Sequence, residues 1–150
     1  MRNLILLALV LCSCNREKPV EALISEVKYI MQTYPPCHEG WYCYEYEFGL
    51  SNNKSFRIVT KRYNYDKERK FLALTTVYSF YADVIKEIEQ FPNTDDSIII
   101  HAKDKAIEIT QGKETRMVDY IALDFNSLFA YDDQLPILLQ NLRKIMNHYQ

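Results

Sequence analysis

Side chains alternate with a period of two from Trp41 to Leu50. Aromatic residues occupy every second position, and small or acidic residues lie between them. The aromatic series is Tyr42, Tyr44, Tyr46 and Phe48. Because successive side chains of a strand point to opposite faces, this pattern predicts a β-strand with one aromatic face. Asn52-Asn53 then predicts a turn, and Ser55–Tyr63 predicts the returning strand.

Two other segments show the helical period. The first begins at Pro19, a residue suited to the first turn of a helix, and ends before Pro35-Pro36. Its apolar stripe is Val20, Leu23, Ile24, Val27, Met31 and Tyr34. The second has Pro136 in its first turn. Its stripe is Leu135, Leu138, Leu139, Leu142, Ile145 and Tyr149. Each stripe predicts an amphipathic helix packed on a core.

The middle of the chain, residues 67–78 above all, fits either a strand or a helix. Thr75-Thr76-Val77 favours a strand, because β-branched residues suit a pleated surface. One helical stripe fits as well. That stripe is Phe71, Leu74, Tyr78, Tyr81, Ile85 and Ile88. We predict a strand that ends near Val77 and a helix over Ser79–Phe91.

A second β region is predicted after Pro92. Ser97–Ala102 and Lys105–Thr110 flank a tight turn, which predicts a hairpin. Gln111-Gly112 predicts the next turn, and Thr115–Asp124 predicts a third strand.

Together these elements predict an α+β fold over residues 19–150. It has a single antiparallel sheet of roughly five or six strands with packed helices, in the order α-ββ(β)-α-βββ-α. If the stripe from Phe71 to Ile88 forms one long helix, this order resembles the profilin/roadblock-like arrangement. If the segment up to Val77 forms a strand, the order is closer to a PsbP-like sandwich.

The first residues of the chain have the pattern of an export signal. A basic start at Arg2 is followed by the apolar segment Leu4–Leu11 and by the small Ser13 before Cys14. The segment 11–14 resembles the lipobox of bacterial lipoproteins. The resemblance implies that residues 1–13 are a signal peptide and that Cys14 carries fatty acyl chains such as palmitate. The protein is then anchored to a membrane of the bacterial envelope and faces the periplasm or the cell surface.

Two cysteines compete for the lipid in this interpretation. Cys12 follows the bulky Leu11, whereas Cys14 follows a small residue, so we assign the lipid to Cys14. Residues 14–18 form a short tether, whose last four residues reach ~14 Å at about 3.5 Å per residue. Asn15 in place of an aspartate favours the outer over the inner membrane, as the lipoprotein sorting pattern implies.

Cys37 and Cys43 remain after the signal region is set aside. An exported protein meets oxidising surroundings, so a disulfide between them is predicted. The alternative is a metal site formed by Cys37, His38 and Cys43, but a zinc site needs a fourth ligand that no second Cys/His pair supplies. We therefore predict no metal and no cofactor.

The sequence contains no G-x-S-x-G elbow, no H-E-x-x-H motif, no glycine-rich phosphate loop and no EF-hand pattern. His101 is interpreted as a strand residue, and the pairs Asp95-Asp96 and Asp132-Asp133 as turn and cap residues. The formal net charge of −2 at pH 7 argues against nucleic acid as a partner. We expect a non-catalytic binding module of the inhibitor or immunity type. The alternatives are a hydrolase that attacks cell-wall or surface polymers with these aspartates as catalysts, and a structural subunit of an envelope complex.

Two sets of residues are candidates for binding a protein or glycan partner. The first is the aromatic row with Tyr42, Tyr44 and Tyr46, which suits sugar rings or a protein surface. The alternative, which we favour, is that this row faces the core. The second set is basic and consists of Arg57, Lys61 and Arg62. The alternative, which we favour, is that these residues form a solvated hairpin face.

Overall fold

The computed structural model describes residues 17–32, 42–66, 69–92, 97–125 and 134–150. These ranges contain two helices, eight strands and one 3₁₀ turn. In chain order they are α1 (Val20–Gln32), β1 (Tyr42–Leu50), β2 (Ser55–Asp66), β3 (Arg69–Tyr81), the 3₁₀ turn (Ala82–Val84), β4 (Ile85–Gln90), β5 (Ser97–Ala102), β6 (Ile107–Gln111), β7 (Glu114–Val118), β8 (Tyr120–Asp124) and α2 (Gln134–Tyr149).

The strands form two antiparallel sheets. The large sheet has the order β1-β2-β3-β6-β7, and the small sheet has the order β4-β5-β8. The α+β class is therefore confirmed, whereas the prediction of a single sheet was wrong. The predicted order of elements also differs, because strands replace the central helix.

The segment predicted as a helix over Ser79–Phe91 continues β3 to Tyr81 and then forms the 3₁₀ turn and β4. The physical reason lies in an irregular pairing of β4 with β5. The register shifts between Ile85 and Glu87, so Ile85 and Ile88 both face the core although they are three positions apart. This spacing imitates the helical period and misled the sequence-based prediction.

The predicted hairpin over residues 97–110 was also wrong. β5 pairs with β4 and β8, whereas β6 belongs to the large sheet. Asp104 and Lys105, in the connection between β5 and β6, have left-handed φ values of 52° and 51°. The connection has the length of a hairpin turn, but it leads the chain from one sheet to the other. Likewise, the predicted strand Thr115–Asp124 is divided at Asp119 into β7 and β8.

Within the described residues the two helices confirm the predicted stripes, and Tyr34, the last predicted member of the first stripe, lies outside them. The helices pack against each other, and α1 also packs on β1. The buried helical side chains are Val20, Leu23, Val27, Ile30, Met31, Leu135, Leu138, Leu142, Ile145 and Met146. Asn141 is buried among them and donates a hydrogen bond from Nδ2 to Oε2 of Glu26 at 3.0 Å. Neither helix of the described ranges combines the length and the apolar character needed to cross a bilayer.

The turn between β6 and β7 contains one residue in a backbone conformation that favours glycine. Gly112 has a φ of +60°, and a Cβ added there would meet no atom within 4 Å. We expect Gly112→Ala to lower the free energy of unfolding by about 1 kcal/mol through backbone strain alone. Urea denaturation checks this. Gly49→Ala in β1 is the control, since its new Cβ would meet only the Arg57 carbonyl at 3.9 Å. Equal stability of Gly112→Ala and the parent would contradict the expectation.

Candidate binding cleft

The strand register orders the side chains on the inner face of the large sheet into rows that cross the strands. One row is largely apolar and consists of Phe48, Ile58, Tyr78, Ile109 and Arg116. The next row is polar and consists of Tyr46, Thr60, Thr76, Gln111 and Glu114. The third row consists of Tyr44, Arg62 and Leu74. One face of the sheet therefore changes from core to a polar surface along the direction of the strands.

A cavity of about 240 Å³ lies over these rows. Its floor belongs to β1, β2, β3 and β6, and β8 forms part of its wall. We call it the inner-face cleft. It is lined by Tyr44, Tyr46, Thr60, Arg62, Leu74, Thr76, Tyr78, Gln111, Ala122, Leu123 and Asp124. A second depression of about 310 Å³ shares Gln111 with it and extends to Glu114 and Arg116 on β7.

Hydrogen bonds hold the floor of the inner-face cleft in place. Gln111 Nε2 donates to Thr76 Oγ1 at 3.0 Å. The Tyr46 hydroxyl donates to the backbone carbonyl of Asp124 and so joins β1 to β8. The Tyr46 ring also lies 4.8 Å from the Phe125 ring, centroid to centroid. Because Tyr46 and Thr76 are both buried, these contacts fix the polar row before any ligand arrives.

Tyr78 keeps its proton at neutral pH. Burial raises the pKa of the Tyr78 phenol, while a hydrogen bond with Thr60 and the positive charge of Arg116 oppose part of that shift. The neutral hydroxyl can donate one hydrogen bond and accept others, but it cannot serve as a base. The cleft is therefore suited to holding a ligand by hydrogen bonds and ring contacts.

The predicted aromatic row is divided between the core and the cleft. Tyr46 and Phe48 are 3% and 5% exposed, which confirms the core-facing interpretation for these two residues. Tyr44 is half-buried in the cleft lining. Only the backbone of Tyr42 belongs to the described part of the chain, where it pairs with Asn64.

The three predicted basic residues do not share one surface. Arg57 and Lys61 lie on the outer face of the large sheet, and Lys61 forms an ion pair with Glu47. Arg62 lies on the inner face, in the row of Tyr44. The cause is the alternation of the strand, which turns neighbouring residues of β2 to opposite sides.

The outer face carries a small network of charges. Glu45 accepts a hydrogen bond from the hydroxyl of Tyr63 at 2.9 Å and pairs with Lys70. The Lys70 ammonium lies 3.9 Å from the centre of the Tyr63 ring. The hydrogen bond from Lys70 is the main reason why the pKa of Glu45 lies below its usual value. This network is half-exposed and joins strands β1, β2 and β3. We therefore interpret it as a set of contacts that stabilises the large sheet.

His101 forms a polar contact on the small sheet. Its Nε2 lies 3.0 Å from Oε1 of Glu89, and its ring is 6.3 Å from the Tyr120 ring. No group of three metal-binding side chains occurs among the described residues. Several residues that the sequence analysis singled out lie outside the described ranges or are described only in their backbone, so their predictions stay untested. They are Cys12, Cys14, Cys37, His38, Cys43, Asp95, Asp96, Asp132 and Asp133.

Sequence reasoning missed most of the cleft. Thr60 and Thr76 were assigned to strands, Tyr78 to the ambiguous middle segment and Gln111 to a turn, and none of them was assigned to a site. One signal was available: in β2 the alternate positions that begin with Phe56 and Ile58 continue with Thr60 and Arg62. When a strand face changes from apolar to polar residues after two positions, the elements that pack on the apolar part are expected to end there. No comparable sequence pattern indicated that β8 contributes to the lining of the cleft.

Comparison with known protein families, with curated proteins and with solved structures finds no match to this chain.

Proposed function

We propose that this protein is a lipid-anchored lipoprotein of the bacterial envelope, held by Cys14, and that it acts as a non-catalytic binding module. The inner-face cleft is its binding surface, and the outer membrane is its favoured location. The lipobox-like segment supports the anchor. The polar rows within an otherwise buried sheet face carry the binding function.

The argument for binding rests on how the cleft is built. Sheet faces that pack on a core are usually apolar. Here the inner face places Thr60, Thr76 and Gln111 side by side in one row, and the hydrogen bond from Gln111 to Thr76 preorganises it. Aromatic Tyr44 and Tyr78 border that row. Ligand pockets typically combine aromatic walls with a few convergent polar groups, which is the composition found here.

Crosslinking in the native envelope tests this proposal. A photoreactive phenylalanine analogue replaces Tyr44 in the cleft or Tyr29 on α1, which is 65% exposed and serves as the control. We expect the Tyr44 variant to form one dominant crosslinked species in the membrane fraction and the Tyr29 variant to form none. Equal crosslinking from both positions, or none from Tyr44, would count against the cleft as the binding surface.

A further inference from the structure

The two edges of the small sheet differ in how their backbone groups are satisfied. At the β4 edge, Arg143 Nε donates to the Ile88 carbonyl at 2.7 Å. Gln150 Nε2 donates to the Ile85 carbonyl at 3.1 Å. The side chains of Arg143, in α2, and of Gln150, which follows α2, therefore occupy this edge. Proteins commonly cover sheet edges in this way, because exposed backbone groups are templates for further strands.

β8 forms the other edge of the small sheet. Its register with β5 determines which backbone groups of β8 point away from the sheet. The Ala102 N–H donates to the Asp119 carbonyl at 2.7 Å, so these two residues form a hydrogen-bonded pair. Hydrogen-bonded and non-hydrogen-bonded pairs alternate along an antiparallel ladder. Ile121 and Leu123 thus bond to β5, whereas the backbone groups of Tyr120, Ala122 and Asp124 point away from it. The bond from Tyr46 to the Asp124 carbonyl agrees with this direction.

Ala122 is the central residue of this outward-pointing set. It is exposed and lines the inner-face cleft. No hydrogen bond from any described residue reaches its N–H or its C=O. Its donor and acceptor therefore lie side by side on the edge of β8 that points away from β5, next to the inner-face cleft. This is the pattern that one residue of an additional antiparallel strand would complement.

We propose that the inner-face cleft binds an extended peptide segment of a protein partner, which adds to β8 as a new strand. The Ala122 N–H and C=O exchange hydrogen bonds with one peptide residue, and a neighbouring peptide side chain enters the cavity of about 240 Å³. The proposal rests on the cleft being the binding surface and specifies its ligand class. A peptide is favoured over a glycan because its backbone repeats the same donor and acceptor pair at strand spacing.

The test uses the mature chain with Cys14→Ser, which avoids the lipid. The probe is a displayed library of linear random peptides of about ten residues, the upper length of an ordinary strand. We expect a selected peptide to slow hydrogen exchange at the Ala122 amide. We also expect Ala122→Pro to weaken its binding by about tenfold, the loss of one backbone hydrogen bond. The proline is tolerated because the Ala122 N–H is not used in the ladder with β5.

Two controls separate strand pairing from a general effect of proline. Ala122→Ser changes the side chain but keeps the N–H, so the further loss of binding in Ala122→Pro relative to Ala122→Ser measures the contribution of the N–H. Met117→Pro places a proline at an outward-pointing position of β7, since the two-residue turn at Gly112-Lys113 makes Gln111 and Glu114 a hydrogen-bonded pair. Met117 is 50% exposed and does not line the inner-face cleft, so this variant should bind normally. Circular dichroism verifies the fold of each variant.

The proposal is overturned if Ala122→Pro binds the selected peptide as tightly as Ala122→Ser. It is also overturned if no library peptide protects the Ala122 amide. Its failure is distinguishable from failure of the proposed function. A partner crosslinked through Tyr44 without peptide binding at Ala122 would keep the cleft as a binding surface but reject strand addition. Peptide binding without an envelope partner would reject the envelope function alone.

Discussion

Replacing Phe56 with alanine is expected to lower the free energy of unfolding by about 3–5 kcal/mol. Phe56 is fully buried, and its ring lies 5.8 Å from Phe48, 5.9 Å from Phe80 and 5.7 Å from Tyr149, centroid to centroid. These rings belong to β1, β2, β3 and α2, so the cavity left by the substitution would lie where the large sheet meets the second helix. Urea denaturation followed by far-ultraviolet circular dichroism measures the change.

Phe71→Ala provides the matched control for this substitution. Phe71 lies in β3 but is 53% exposed, so the same change of residue removes little buried surface. We expect a loss within about 0.5 kcal/mol, as for other surface substitutions. If Phe71→Ala were as destabilising as Phe56→Ala, the position of the core given by the structure would be wrong.

Cys14→Ala is expected to release the protein from membranes completely. The physical reason is that each buried methylene of an acyl chain contributes about 0.8 kcal/mol to membrane affinity, and a lipoprotein cysteine carries several chains. Under the proposal that Cys14 carries the acyl chains, its replacement removes the whole anchor. Fractionation of cells that express the variant, combined with labelling by a palmitate analogue, measures both location and acylation.

Cys12→Ala is the control for the anchor. It removes the competing cysteine two positions earlier and should leave both membrane association and labelling intact. The reverse outcome, with release only in Cys12→Ala, would move the lipid to Cys12. Membrane association of an unlabelled parent protein would reject the lipoprotein proposal altogether.

The elements that could be predicted from the sequence are those whose pattern is local. The stripe of α1, the alternation of β1 and the apolar positions of α2 each recur within one element, and the structure contains all three. The two sheets could not be predicted in this way. Period-two alternation shows that a segment is a strand but does not identify the strand with which it pairs. The irregular register at Ile85 also places two core residues three positions apart, a spacing that resembles the period of a helix.

The same limit applies to the candidate cleft. Tyr44 and Arg62 were recognised because aromatic and basic residues attract notice in any sequence. The side chain of Ala122 has no functional group. Its proposed role in binding depends only on the direction of its backbone N–H and C=O in β8. That direction follows from the pairing of β8 with β5, two strands separated by β6 and β7. Long-range topology, which a residue pattern does not contain, therefore creates this part of the cleft.

The alternation of the chain between the sheets has a consequence for folding. The large sheet takes its strands from residues 42–81 and 107–118, and the small sheet takes its strands from residues 85–102 and 120–124. The large sheet is complete only when residue 118 has been made and the small sheet only when residue 124 has been made, and no single proteolytic fragment contains either sheet alone. Both sheets should therefore melt in one cooperative transition. Refolding should be slow for a chain of this size, since many contacts join distant parts of the sequence.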